Sequence, residues 1–238
     1  MSSLSKIPKR IPLPQLVVIL LLLALLLLGA VPGYLQGHWK WQEPARVVTL
    51  GNLKQLRQTG LKVAGWQNLD QGEAPIGGHK WSRQIIQKQG EKTQALLLLL
   101  PQNGPRDQPQ VEWTEIEGWQ RWRIAQLRTL QFTAEQPQAK NSQTAKVEAR
   151  FFRGSNREQT YAILQWYAWF NGGSAAPIKW FLADQLAQWH HKRVPWVAIS
   201  IMIPIEPLGD IEKSWQLAES LGKTVQAALM TDSLLTSE

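Results

Sequence analysis

The chain predicts an α+β protein: a single N-terminal transmembrane helix followed by a mainly antiparallel sheet with helices packed on one face. Three observations lead there. Residues 16–35, LVVILLLLALLLLGAVPGYL, carry no charge and at 1.5 Å per residue match a hydrocarbon core of about 30 Å. The middle of the chain holds ALLLLL, KVEARFFR and TYAILQWYAWF, apolar or alternating runs bounded by turn residues that read as strands. The final third reads as helix, strand, helix, and strands followed by such a series belong to the α+β class.

In chain order, residues 1–14 form a cytoplasmic tail, because Lys6, Lys9 and Arg10 stand there without an acid and cationic flanks stay inside. Residues 15–36 form the span, with Tyr34, Trp39 and Trp41 bracketing its exit, rings suited to the headgroup level. A cleaved secretory signal would share the basic start, the leucine-rich centre and the small Gly29 and Ala30. Pro32 and the apolar continuation through Leu35 favour retention. The expected location is the inner (cytoplasmic) membrane, single-pass, N-terminus inside and C-terminal domain extracytoplasmic, with membrane lipid as one partner.

Residues 37–62 are a connector and a short helix, given Leu50, Leu53, Leu56 and Leu61 at near-helical spacing and Gly60 as a stop. The body spans residues 63–232, and residues 233–238 are a tail. NLDQGEAPIGGHK reads as a loop from its Gly, Pro and Asp content. WSRQIIQKQ and ALLLLL form a hairpin whose second strand lacks polar alternation and so is covered on both faces. After the proline-rich PQNGPRDQPQ, an extended segment is expected around Trp113, a turn near Gly118 and a strand over 127–132. EQPQAKNSQTA is a polar loop. KVEARFFR puts Val147, Ala149 and Phe151 on one face and Lys146, Glu148 and Arg150 on the other. GSNRE then turns the chain into TYAILQWYAWF, a central strand. Ser174 caps a helix with Pro177 in its first turn and with Ile178, Phe181, Leu182, Leu186 and Trp189 as its inner stripe. WVAISIMI is a buried strand, and Asp210 opens a helix whose Ile211, Trp215, Ala218, Leu221, Val225 and Ala228 lie on the sheet.

Composition narrows the function classes. Cysteine is absent, which removes disulfides and any thiol nucleophile. The formal net charge of +8 suits anionic headgroups or an acidic polysaccharide, and an exported domain leaves nucleic acid out as a partner. No cationic cluster is visible along the chain, so the excess reads first as solubilising surface charge. Thirteen tryptophans invite sugar stacking, although most such rings serve the core. His190 and His191 are adjacent, point about 100° apart on a helix and lack a partner at i+4. Neither a metal nor a cofactor is expected, and G-x-S-x-G, P-loop and dinucleotide signatures are missing. Glu112, Glu115 and Glu117 are the best candidates for a glycosidase pair, weighed against an exposed strand edge on which Glu115 and Glu117 would share a face.

Gly65-Trp66, the Pro109-led segment ending in Gly118-Trp119, Leu164-Gln165-Trp166-Tyr167 and the amphipathic stretch 210–230 together resemble the exosortase-associated family, most closely its cyanobacterial branch, the cyanoexosortase B system-associated proteins. The family often has a cysteine between that proline and Gly-Trp; here Glu112 or Trp113 stands in its place, so no thiol role carries over. The resemblance implies a non-catalytic, membrane-anchored accessory protein beside a polytopic exosortase, in protein sorting linked to exopolysaccharide production. The alternative is a glycan-binding module, with Trp66, His79, Trp81, Trp113 and Trp119 as contact residues around the loops. A third reading is a hydrolase using the three glutamates.

Overall fold

The computed structural model describes residues 12–29, 45–110, 112–136, 143–231 and 234–235. It divides into two compact units, residues 1–43 and 44–238. In the first, helix α1 runs Leu13–Gly29. The expected membrane crossing is corrected here. The 17 residues of α1 rise only about 26 Å, and no helix among the described residues is long and apolar enough to cross a membrane. Residues 30–36 of the expected span, the cationic tail and the aromatic residues Tyr34, Trp39 and Trp41 lie outside the described residues.

The second unit is an eight-stranded sheet with helices on both faces. Helix α2 (Leu50–Thr59) ends at Gly60, whose φ of 72° suits glycine alone. Strands β1 (Trp66–Ile76) and β2 (His79–Lys88) pair antiparallel through Gly77-Gly78, both with positive φ as a two-residue hairpin turn requires. The loop expected over this stretch is therefore a strand. Only Ala74 and Ile76 of β1 are buried, and its edge position tolerates both the polar sequence and Pro75.

Strand β3 (Gln94–Pro101) pairs with β2 as expected. Next comes helix α3 (Glu112–Gln120), where an extended segment and a turn near Gly118 were expected. Trp113 and Ile116 share its buried face, a spacing of three that fits a helix and not a strand. Strands β4 (Arg123–Glu135), β5 (Thr144–Ser155), β6 (Thr160–Trp169) and the short β7 (Gly172–Ser174) follow. Part of the expected polar loop, residues 137–142, lies outside the described residues. Helix α4 (Pro177–Gln188), strand β8 (Val197–Ile205), a 3₁₀ turn (Ile211–Ser214) and helix α5 (Trp215–Thr231) complete the body.

The strand order is β1-β2-β3-β8-β6-β7-β5-β4. Among the described residues only β5 and β7 pair in parallel. Side chains alternate across the central strands, so Leu97, Leu99, Leu164 and Ile201 enter one core with Leu53 and Leu56 of α2 and Leu221 and Val225 of α5. Leu98, Leu100, Ile163 and Met202 enter a second core with Trp113 and Ile116 of α3 and Trp180 of α4. Helices on one face alone were expected. Both faces are covered because β3, β6 and β8 are apolar on both sides, and each exposed face would forfeit about 25 cal/mol per Å² of burial.

The stripe expected to face inward on α4 faces outward. Ile178, Phe181, Leu182, Leu186 and Trp189 are all exposed, while Trp180 and Asp184 are buried. Asp184 forms a buried ion pair with Arg193 at 2.9 Å and accepts the Val194 N–H at 2.9 Å. Trp180 Nε1 donates to the Val194 carbonyl at 3.1 Å. A buried charge left unpaired costs more than several exposed leucines, so the ion pair decides which face turns in. Ser174 sits in β7 rather than capping the helix; its hydroxyl accepts the N–H of Ala176, which holds the cap position.

Candidate functional site

The structure gathers cationic and aromatic side chains at one end of the β4–β5 pair. Helix α3 stops at Arg121, which takes a left-handed φ of 52°. Its N–H donates to the Gly118 carbonyl at 3.3 Å and that of Trp122 to Glu117 at 3.2 Å, the two bonds that close a helix where glycine is the favoured residue. Trp122 then turns inward, edge-on to Phe152 at 6.0 Å between centroids. Gly154 makes room for it, since a Cβ there would lie 3.1 Å from the indole and 2.4 Å from Ile163 Cδ1. With Trp122 pinned, Arg121 and Arg123 flank it, and Arg123 begins β4 opposite Ser155.

The connection between β5 and β6 supplies the other wall. The Asn156 side-chain oxygen accepts the N–H groups of Glu158 and Gln159 at 2.9 and 2.8 Å, a local turn that asparagine favours. Its amide donates to the Gln120 carbonyl at 3.3 Å, which joins the two turns. Between them lies a cleft of about 650 Å³ lined by Trp119, Gln120, Arg121, Arg123, Ser155, Asn156, Arg157 and Glu158. Trp119 is 45 % exposed. Three arginines and one glutamate line the cleft, and the planar fork of arginine matches carboxylate, sulfate or phosphate oxygens bidentately. An accessible indole face beside them suits the apolar side of a sugar ring. Such a lining has the chemistry that suits an anion.

The five residues read from the sequence as contacts do not form one surface. Trp119 lines the arginine cleft. Trp81 and Trp113 are buried in the core beneath α3 and α4, and Trp113 Nε1 donates to the Ala175 carbonyl at 3.0 Å. Trp66 packs against the opposite core. His79 is exposed at the start of β2, its Nδ1 2.9 Å from Glu115 Oε2, and lines a smaller cleft of about 270 Å³ with Asp107 and Glu112.

The three glutamates lie on helix α3 and not on a strand edge, so the face-sharing expected for Glu115 and Glu117 does not arise. Each has a partner within the fold. Buried Glu112 accepts the Gln110 N–H at 2.8 Å and the Tyr167 hydroxyl at 2.6 Å. Burial, and then the neighbouring Glu112 charge, push the Tyr167 phenol well above its ordinary range. Glu115 pairs with His79, and Glu117 accepts from Arg150 at 2.8 Å. Among the described residues no group of three His, Asp or Glu side chains is placed to hold a metal.

Arg121, Arg123 and Arg157 escaped the sequence reading, in which no cationic cluster was visible. They come from two turns 34 residues apart or more in the chain, and only the pairing of β4 with β5 unites them. The available signal was WQRWR running into one strand while SNR closed the next. Searched against known proteins, the chain matches no family model, no curated protein and no solved structure.

Proposed function

We propose that this protein is a non-catalytic accessory protein of an exosortase-type sorting and exopolysaccharide system, as its sequence resemblance implies, and that its body binds acidic polysaccharide in the arginine cleft. The observation that carries the binding role is the convergence of Arg121, Arg123 and Arg157 around exposed Trp119. An acidic sugar polymer presents carboxylates at intervals along a chain of rings with apolar faces, and the cleft offers a partner for each. The structural partners held by Glu112, Glu115 and Glu117 favour binding over hydrolysis.

The test is titration of the full chain with polygalacturonate and, as a neutral control, dextran, following tryptophan emission. A saturable change with the acidic polymer alone is expected. It should vanish in Trp119→Leu and weaken about tenfold in Arg157→Ala, the loss a charge-assisted hydrogen bond implies. No saturable change with any acidic polymer removes the reading. The link to an exosortase is tested separately by crosslinking in native membranes and mass spectrometry; repeated failure to recover a polytopic exosortase overturns that half.

A further inference from the structure

Helix α4 presents an apolar face that the fold leaves uncovered. Ile178, Phe181, Leu182, Leu186 and Trp189 recur at intervals of three and four, and all five are exposed, Trp189 by 81 %. Single exposed apolar residues are ordinary, whereas five on one side of a helix are the kind of surface that partners or membranes cover. The face is also held in place. Trp180 and the Asp184–Arg193 pair fix the helix rotation from beneath, so the leucines cannot roll inward.

The charges around the patch identify its occupant. The one acid on α4 is Asp184, which is buried on the opposite side. Lys179 lies on the helix, and exposed His190, His191 and Lys192 follow directly. Exposed Arg106 adjoins Pro105, whose carbonyl receives the Arg193 guanidinium. Glu148 pairs with Lys179 at 2.9 Å and offsets its charge, so the positive excess beside the stripe lies at its C-terminal end, on exposed Lys192 beside His190 and His191. An apolar stripe that ends in an indole and a cationic segment has the composition of a helix lying in a membrane interface. A second copy seated on this face would offer the Lys192 end no added acid, since the one acid on α4 is buried.

We propose that the outward face of α4 seats on an anionic lipid surface, with Leu182 and Leu186 in the acyl boundary and Trp189 at headgroup level. This seating is independent of the arginine cleft and of any sugar bound there.

The absence of native cysteine allows a single reporter. Leu182→Cys and Leu186→Cys, and Gln89→Cys on the exposed β2–β3 turn as control, are labelled with an environment-sensitive fluorophore in the full chain. Each is mixed with phosphatidylcholine vesicles or with equal parts phosphatidylglycerol and phosphatidylcholine, with and without a lipid-borne quencher. The α4 labels should shift to the blue and be quenched on the anionic vesicles, and the control label should not. Lys192→Glu should lower that binding by about fivefold or more, the factor expected per cationic residue at an anionic surface. Labels that stay water-exposed on both vesicle types overturn the proposal. So does burial that is equal in the two compositions, or self-quenching that grows with protein concentration in the absence of lipid. The polysaccharide titration contains no lipid, so failure here leaves the cleft untouched.

Discussion

Arg121 occupies a left-handed backbone position at the end of α3. A non-glycine residue there stores about 1 kcal/mol of strain, and strain of this kind collects where a side chain is needed for binding. Arg121→Gly should therefore stabilise the body by about 1 kcal/mol in denaturant unfolding while weakening its hold on polygalacturonate. A variant that is more stable and binds as well would show the side chain to be idle. Tyr167 makes a second prediction. Its phenol stays protonated in the folded state to higher pH than in the unfolded chain, because of burial and Glu112. The unfolded state thus releases its proton first, at about pH 10. The contribution is complete below that pH and fades as pH rises above it. Denaturant titrations on either side of pH 10 should show the fall, and Tyr167→Phe should lessen it. The same substitution leaves Glu112 short of a donor, at about 1–3 kcal/mol near neutral pH.

At the scale of the element, α4 shows what a periodicity can and cannot tell. The spacing of Ile178, Phe181, Leu182, Leu186 and Trp189 correctly announces a helix, yet the buried side is chosen by Asp184, Arg193 and Trp180. The pair joins the helix to the segment after it, nine residues on, so no local pattern reveals it. Arg193→Met alone should cost about 3–5 kcal/mol by stranding the aspartate and should speed amide exchange along α4. Arg193→Met with Asp184→Leu should recover most of that loss. If the single variant unfolds like the parent, the ion pair is not what orients the helix. Strand β1 and helix α3 were hidden for other reasons. The first is a polar edge strand with few buried residues, and the second buries only two apolar side chains, Trp113 and Ile116, so a single spacing of three is all the periodicity it shows. Strands β3, β6 and β8 were legible because an unbroken apolar run has few alternatives to the middle of a sheet. The arginine cleft was invisible, since its members meet only after β4 and β5 pair.

Across the whole molecule, stability should be graded from the centre of the sheet outward. Strands β8, β6 and β3 are buried on both faces, whereas β1 and β4 are edges with mostly exposed residues. Hydrogen exchange should be slowest at Ile199, Ile201 and Leu164 and faster by orders of magnitude in the outer halves of β1 and β4. Uniform protection across all eight strands would contradict a core layered in this way. The order of the strands also governs how the chain is made. Strand β8, near the end of the sequence, is the keystone between β3 and β6, both synthesised long before it. Until Val197 and its successors emerge, two of the most aliphatic segments lack their neighbour, and each is an open template for another nascent chain. Pairing across so many residues is slow. A ribosome that stalls ahead of β8 would release a sticky half-product, so expression yield should depend more on the pace of translation through residues 170–205 than on any substitution at the surface.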